Sequence, residues 1–195
     1  MATLKFDWNS LYNELSGCTK CRLCEQRRNI VIADGDPHAG IMFIGEGPGR
    51  EEDESGVPFV GAAGRLFNEL LEEADLDRRN CYICNVVKCR PPQNRDPLPD
   101  EAEACLPYLR AQVALVHPKV IVCLGRIAAR YVYDRDIQIS RQRGCVKKAG
   151  AFYIIPTYHP AALLRRADLT NDFVADLIAA KKLFEKLESG EEILL

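Results

Sequence analysis

The chain has 195 residues, and 26 Lys and Arg against 28 Asp and Glu give it a formal net charge of −2. That balance excludes a uniformly basic protein that binds nucleic acid through bulk charge, although it allows a local basic face. No apolar run reaches the roughly 18 residues that span a bilayer, and the first thirty residues lack the apolar segment of a secretory signal. We therefore expect one globular domain over residues 1–195, located in the cytoplasm.

Predicted strands and helices alternate along the chain. In order, they are a strand over 41–44, a helix over 61–74, a strand over 81–87, a helix over about 100–116, a strand over 120–124, a helix over 125–132, a strand over 152–155 and a helix over 172–187. Asp100 and Glu103 have the spacing of a capping box at the start of the second helix, and Pro107 is expected to break or restart that helix. The alternation predicts an α/β fold whose sheet has about four, mostly parallel, strands.

Glycine and polar residues follow several of the predicted strands. Gly45 opens the loop Gly45-Glu-Gly-Pro-Gly49, Asn85 lies near the end of the second strand, and His159 follows the last one. Ligands of α/β proteins bind beyond the carboxyl ends of the strands, so we expect these residues to converge on one crevice. The loop fails the dinucleotide fingerprint because Arg50 occupies its last glycine position, and an ordinary tight turn is the alternative interpretation.

Three side chains of this predicted crevice have both a structural and a functional interpretation. Asn85 either completes a buried hydrogen-bond network or reads a planar ligand with one donor and one acceptor. Phe59, in a loop, either packs in the core or stacks on a base. His159 either caps the helix that follows it or faces the ligand.

The nine cysteines need an explanation other than disulfide bonds, which a reducing compartment disfavours. Cys81, Cys84 and Cys123 lie in strand-like runs, where residues three apart point to opposite faces, so we interpret them as buried apolar residues. Cys145 has no evident partner. Five cysteines in loops or at a helix break compete for about four thiolate positions of a metal site; they are Cys18, Cys21, Cys24, Cys89 and Cys105. Their spacing does not distinguish zinc from an iron–sulfur cluster.

Basic residues cluster in two parts of the sequence. One group lies within 135–148. The second is predicted beside the cysteines and the mouth of the crevice, and it consists of Arg22, Arg27, Arg28, Lys88, Arg90, Arg95, Arg165 and Arg166. Any single cluster is typical of a solvated surface, whereas several clusters along one rim would follow a nucleic-acid backbone.

In their order and spacing, the motifs resemble those of the family-4 uracil-DNA glycosylases, the iron–sulfur type of bacteria and archaea. The motifs are Cys18-x2-Cys21, Gly45-Glu-Gly-Pro-Gly49 with the acidic run after it, Gly56-Val-Pro-Phe-Val-Gly-Ala-Ala-Gly64, Asn85-Val-Val-Lys-Cys-Arg-Pro-Pro-Gln-Asn-Arg95, Cys105 and His159-Pro-Ala-Ala-Leu-Leu-Arg165. The resemblance extends from about Cys18 to the last helix. It implies a three-layer αβα fold and a [4Fe–4S] cluster on Cys18, Cys21, Cys89 and Cys105, which leaves Cys24 unused.

The implied reaction is hydrolysis of the N-glycosidic bond between uracil and deoxyribose in single- and double-stranded DNA, after the base has been flipped out of the helix. By resemblance, Phe59 stacks on the base, Asn85 pairs with its O4 and N3–H edge, and backbone amides of the Glu46–Gly49 loop contact a uracil oxygen. A neutral His159 donates a hydrogen bond to O2 as negative charge grows on the leaving base.

One departure concerns the water that attacks the sugar. The best-known relatives in the superfamily position it with an Asp of the first motif, and Gly47 occupies the corresponding place here. The substrate contacts implied in this loop are Glu46 and Gly47, and the water-positioning group is left open between Glu46, Glu52 and main-chain groups. Leu163 or Leu164 is implied to fill the space that the flipped base leaves.

We expect a monomer in the prokaryotic cytosol or nucleoid that acts on uracil-containing DNA, releases free uracil and contacts no membrane. Whether a replication clamp or a polymerase binds the C-terminal helix is left open. Three alternatives are a catalytically silent nucleic-acid-binding module with the same fold, an electron-transfer iron–sulfur protein and a zinc-stabilised domain. Intact Phe59, Asn85 and His159 argue against the first, indifference to DNA would mark the second, and the metal content decides the third.

Overall fold

A computed structural model describes residues 7–191 and 193 of the chain. Its strands are β1 (Asp34–Gly35), β2 (Ile41–Gly45), β3 (Tyr82–Asn85), β4 (Val120–Leu124), β5 (Lys147–Ala149) and β6 (Phe152–Thr157). Its α-helices are α1 (Trp8–Ser16), α2 (Arg50–Ser55), α3 (Ala62–Glu73), α4 (Pro99–Val116), α5 (Gly125–Val132), α6 (Ile139–Gln142), α7 (Pro160–Leu163) and α8 (Thr170–Glu188). The prediction that no secretory signal is present falls partly on residues 1–6, which lie outside the described residues.

The six strands form one sheet in the order β1-β3-β2-β4-β6-β5. The central strands β3, β2, β4 and β6 run parallel, which confirms the predicted α/β fold and its four-stranded parallel centre. The edge strands β1 and β5 pair antiparallel with β3 and β6, and they were not predicted. Both are short and incompletely buried, so they lack the apolar pattern by which a central strand is recognised.

Helices cover both faces of the sheet and complete three αβα layers. On one face, Phe67 of α3 and Phe173 of α8 pack in the same apolar cluster as Phe43 of β2. On the other face, Leu109 of α4 packs in the same cluster as Met42. Because both faces are covered, successive residues of β2 are all buried, and the strand is a continuous apolar run. Among the described residues, no helix combines the length and apolarity needed to cross a bilayer.

Helix α4 continues through Pro107, so the predicted break is wrong and Cys105 lies on a helix. A proline inside a helix removes one backbone hydrogen bond and crowds the preceding turn. The neighbouring side chains of Tyr108 and Leu109 are 1% and 3% exposed, and their packing holds the helix in place.

The start of α4 also differs from the prediction. The helix begins at Pro99, a residue whose missing N–H is harmless at the first helical position. The carboxylate that reaches back belongs to Glu101, whose Oε2 accepts from the Leu98 N–H at 2.8 Å. The predicted pairing of Asp100 with Glu103 is therefore wrong, because the N-cap is Leu98, two residues earlier than the pattern suggested.

The carboxyl edge of the four parallel strands gathers the residues that follow them. Strand β2 lies between β3 and β4, so the chain changes direction across the sheet at this strand. The register places Gly45 opposite Asn85, and His159 follows the end of β6 by two residues. This switch point is the place where α/β sheets bind ligands.

Candidate active site and cysteine cavity

A cleft of about 750 Å³ opens at the carboxyl edge of the sheet. Its volume lies within the range of ligand-binding sites, roughly 300–1,000 Å³. The structure brings all the predicted substrate-contacting and catalytic residues to this cleft, namely Glu46, Gly47, Glu52, Phe59, Asn85 and His159.

Asn85 and Phe59 meet above Gly45. A Cβ atom on Gly45 would lie 2.4 Å from Asn85 Oδ1 and 2.6 Å from Phe59 Cζ, so a larger residue here would displace both side chains. Asn85 is 2% exposed, and its Oδ1 has no hydrogen-bond partner among the described residues. Because a buried acceptor without a donor is costly, this atom is suited to receive an N–H from a ligand.

Phe59 is held in a backbone conformation that bulky residues rarely adopt, with φ at +55°. The Arg78 guanidinium fixes the turn by donating to the carbonyl oxygens of Phe59 at 3.2 Å and Pro58 at 2.6 Å. It also donates to Asp34 Oδ2 at 2.9 Å. Strain of this kind is maintained where a side chain must be held in one position. Arg78 lies in none of the motifs, so its contact with this turn could not be predicted from the sequence.

His159 lies beside Phe59, with ring centroids 5.8 Å apart. Its Nδ1 accepts a hydrogen bond from the Ala161 N–H at 3.1 Å and thereby caps α7. The proton of the neutral ring is therefore on Nε2, which is left to donate. Burial lowers the pKa of His159 to about 4, against the opposing charge of Glu52. The capping interpretation of this residue is confirmed, and its role toward a ligand stays a prediction, for which Nε2 is the nitrogen that remains.

Glu52 joins the loops on two sides of the cleft. Its Oε1 accepts from the N–H groups of Val60 at 2.9 Å and Gly61 at 2.8 Å. Its Oε2 accepts from the Gly49 N–H at 3.0 Å. Three amides thus engage the carboxylate, which orders the loop of Phe59 relative to the loop after β2.

Glu46 has a different environment. Burial raises its pKa to about 7, with the Asp96 charge adding to the rise and the Arg126 charge opposing it. Asp96 and Arg126 form an ion pair of their own. A carboxyl group that lines a cleft and titrates near neutrality is suited to general acid–base chemistry.

The main chain of the loop after β2 offers fewer free amides than its sequence suggests. The Gly49 N–H is engaged by Glu52, and Pro48 has no N–H. The amides of Glu46 and Gly47 are therefore the ones left to contact a ligand. Gly47 is also constrained, since a Cβ atom there would lie 2.7 Å from Val87 Cγ2.

The basic rim is smaller than predicted. Arg95 lines the cleft, but the buried carboxylate of Glu101 binds it through two hydrogen bonds of 2.8 and 2.7 Å. Lys88, predicted at the mouth, is 1% exposed. Arg22, Arg28 and Arg166 pair with neighbouring acidic residues. Among the described residues, three arginines that line the cleft form no ion pair, and they are Arg50, Arg90 and Arg165. The other predicted basic group, within 135–148, contributes no residue to the lining of the cleft.

The two candidate wedge residues differ in exposure. Leu163 is 2% exposed and belongs to the core, whereas Leu164 is 53% exposed beside the cleft-lining Arg165. Only Leu164 is free to enter a space outside the protein.

The five loop and helix cysteines surround one cavity, which we call the cysteine cavity; its lining includes Cys18, Cys21, Cys24, Cys89 and Cys105. Arg27 connects two of its segments, because Nη1 donates to the Cys18 carbonyl at 2.7 Å and to Cys89 Sγ at 3.3 Å. Burial raises the pKa of the Cys89 thiol to about 11. Within the described ranges, no three Cys, His, Asp or Glu side chains form a site for a single metal ion. The cavity gathers soft sulfur ligands in apolar surroundings, and this donor set fits a thiolate-bound iron–sulfur cluster.

The remaining cysteines are as predicted. Cys81, Cys84 and Cys123 are buried among apolar residues, which confirms that interpretation. Burial raises the pKa of all three thiols, so they are poor nucleophiles. Cys145 is exposed.

The fold and the cleft agree with the comparisons with known proteins. Residues 32–181 match the model of the uracil DNA glycosylase superfamily. The Type-4 uracil-DNA glycosylase of Thermotoga maritima is 44% identical over 87% of this chain and 90% of the relative. Those of Archaeoglobus fulgidus and Sulfurisphaera tokodaii are 44% and 42% identical, over 86% and 87% of this chain and 88% and 81% of the relatives. The chain therefore belongs to the type-4 uracil-DNA glycosylase family, as its motifs predicted.

Proposed function

We propose that this chain is a monofunctional base-excision-repair enzyme that hydrolyses the bond between uracil and deoxyribose in single- and double-stranded DNA. Family membership supports uracil in DNA as the substrate. The observation that carries the proposal is the buried Asn85 Oδ1, which accepts no hydrogen bond from the described residues and lies with the Phe59 ring above Gly45. Such a pocket accepts a planar ring that brings its own N–H.

Uracil satisfies Asn85 on both of its polar atoms. Its N3–H donates to Oδ1, and its O4 accepts from the Nδ2 amide. Cytosine presents an acceptor at N3 and a donor at the neighbouring amino group, so both contacts oppose it. The base reaches this pocket only after it has left the helical stack, and the Phe59 ring then replaces part of its stacking, which is worth roughly 1–3 kcal/mol per base.

The leaving base takes the electron pair of the bond between C1′ and N1, and its negative charge spreads to O2. The Nε2–H of His159 donates to that oxygen as the charge grows, and a neutral imidazole suits this role because it remains a hydrogen-bond donor. A water molecule adds to C1′ of the sugar, and we assign its proton to Glu46, whose pKa of about 7 allows the carboxylate to accept it. Glu52 is assigned the ordering of the loops, since three amides already engage it.

Cys18, Cys21, Cys89 and Cys105 are proposed to hold a [4Fe–4S] cluster, with Cys24 as the spare thiol of the cavity. When bound, the cluster would supply covalent links between the N-terminal segment, the loop after β3 and α4. The reaction needs no electron transfer, so the role proposed for it is structural. Arg50, Arg90 and Arg165 are assigned to backbone phosphates, and Leu164 to the gap left by the flipped base. A monomer in the prokaryotic cytosol suffices, because the chain itself supplies every group named here.

The test is release of free uracil by iron-replete protein from single- and double-stranded oligonucleotides that contain one deoxyuridine. Matched oligonucleotides with cytosine or thymine at that position are the controls. Release from the uracil substrates alone is expected. Binding without release would identify a silent nucleic-acid-binding module, and indifference to DNA together with reversible redox chemistry would identify an electron carrier.

A further inference from the structure

The Lys88 side chain lies between the active site and the cysteine cavity. It is 1% exposed, and its Nζ donates to the main-chain oxygen of Asn85 at 2.5 Å. Lys88 also belongs to the lining of the cysteine cavity, together with Cys89 and Cys105. One buried residue therefore contacts the backbone of the proposed base-reading residue and lines the cavity that holds the thiols.

The charge of Lys88 has no acidic counterpart in the described part of the chain. Glu101 is the acidic residue of the cysteine cavity, and it pairs with Arg95 and Arg22 instead. A buried ammonium needs a compensating negative charge, because its desolvation is otherwise too costly. An iron–sulfur core held by four thiolates carries a net negative charge and supplies that compensation.

The contact with Asn85 has a direct geometric consequence. Asn85 is the last residue of β3, and its carboxamide reaches the narrow space above Gly45. The Lys88 ammonium donates to the main-chain carbonyl oxygen of Asn85 and thereby fixes the plane of the peptide bond after Asn85. This also fixes the backbone from which the Asn85 carboxamide projects. A loss of that donor leaves a buried carbonyl without this partner and frees the carboxamide to shift.

We propose that Lys88 is a positioning residue that couples the cysteine cavity to base recognition, with the negative charge of the ligated thiolates holding its ammonium against the Asn85 carbonyl. The inference rests on the proposed function, which assigns uracil recognition to Asn85 and the cluster to the cysteines. In this proposal Lys88 contacts neither the substrate nor the attacking water. Its contacts make uracil binding and the properties of the cluster depend on each other.

The test compares Lys88→Met with Lys182→Met in iron-replete protein. Methionine keeps most of the buried volume and removes the charge and the donor, and Lys182 is an exposed lysine of α8 that serves as the matched control. Three quantities are measured: the Kd for free uracil, the iron bound per chain and the midpoint potential of the cluster. Lys88→Met is expected to weaken uracil binding about tenfold or more. It is also expected to lower the midpoint potential, because a lost cation disfavours adding an electron. Lys182→Met should match the unmodified protein in all three.

A change on one side only overturns the proposal. Weaker uracil binding with an unchanged potential and iron content would show that Lys88 serves Asn85 alone, and the reverse would show that it serves the thiols alone. Should Lys88→Met fail to fold, the unmodified protein gives a second measurement. Coupling is reciprocal, so saturating free uracil must shift the midpoint potential of the cluster, and an unchanged potential would overturn the coupling. Iron-free protein, or iron-loaded protein that releases no uracil from DNA, would instead reject the proposed function.

Discussion

The ring of Phe59 and the imidazole of His159 lie 5.8 Å apart, with their planes inclined by 32°. Different contacts hold the two rings in place. The left-handed turn under Arg78 sets Phe59, and the Nδ1 cap of α7 sets His159. The stacking surface and the hydrogen-bond donor of the proposed mechanism are therefore supported independently, and substitutions should affect them separately.

His159→Ala is expected to lower the turnover number about 10²–10³-fold, because one donor to the developing oxyanion is lost. The same change removes the cap of a short helix, which costs about 1 kcal/mol of unfolding free energy. Single-turnover uracil release and denaturant unfolding measure the two effects. His159→Asn is the matched control, since asparagine can cap α7 and should recover stability without recovering full turnover. Undiminished turnover in His159→Ala would reject its role.

Asn85→Asp is expected to weaken uracil recognition and to move the base preference toward cytosine. The substitution replaces the amide donor by an oxygen, which loses the contact to uracil O4 and suits the amino group of cytosine. Release rates from deoxyuridine and deoxycytidine oligonucleotides report the change as a ratio. An unaltered ratio would contradict the assignment of Asn85 as the residue that reads the base edge.

The pH dependence should follow Glu46. Its pKa of about 7 predicts that kcat/KM rises as the pH increases through neutrality, since the deprotonated carboxylate accepts the proton of water. His159 stays neutral above its pKa of about 4 and adds no step near neutrality. Glu46→Gln is expected to lower the rate and flatten the profile. A rise that persists near pH 7 in Glu46→Gln would assign the titration to another group.

The same carboxyl group predicts a trend in stability. Its folded-state pKa lies above the ordinary value of 4.5, so the folded chain holds the proton more tightly than the unfolded one. The stabilisation is present below about 4.5 and is lost as the pH rises through about 7. Denaturant unfolding of the unmodified chain and of Glu46→Gln should be measured across this pH range. The difference between their free energies of unfolding should change with pH.

Arg78→Met is expected to release the turn that carries Phe59. Two carbonyl oxygens and the Asp34 carboxylate lose their donor, which costs about 1–3 kcal/mol of unfolding free energy. The Kd for free uracil should rise as well, because the stacking ring is no longer held. Arg79→Met is the control, since the Arg79 side chain is 88% exposed and pairs with Asp77. Equal behaviour of the two variants would show that the contacts of Arg78 do not position Phe59.

Substitution of single cysteines should identify the cluster ligands. Alanine at Cys18, Cys21, Cys89 or Cys105 is expected to reduce bound iron and to lower the melting temperature, because the cluster links three segments. Cys24→Ala should retain iron. Iron and zinc analysis of the purified variants provides the readout, and loss of iron from Cys24→Ala would require a different ligand set.

The local sequence pattern was sufficient to predict the central strands. Strands β2 and β4 are buried on both faces and are therefore apolar throughout. The edge strands were not visible in the sequence, since two or three partly exposed residues carry no periodic signal. The continuity of α4 depends on packing around Pro107, which outweighs a local helix-breaking signal.

The cleft residues follow strand ends and could be predicted to converge, whereas their supports could not. Arg78 acts on a turn 19 residues away in sequence, and Lys88 resembled a surface cation in the sequence. Which carbonyl a buried cation binds is decided by the tertiary fold, and no short motif encodes it.

The floor of the pocket is the polypeptide backbone at Gly45, and this residue has no side chain that a mutation could shorten or reorient. Enlarging the pocket downward would require moving a central strand, at the expense of the core on both of its faces. Specificity for other bases must therefore arise from substitutions in the loops that cover this edge of the sheet. A rigid inhibitor can be designed against the backbone at Gly45 without allowance for movement of that backbone.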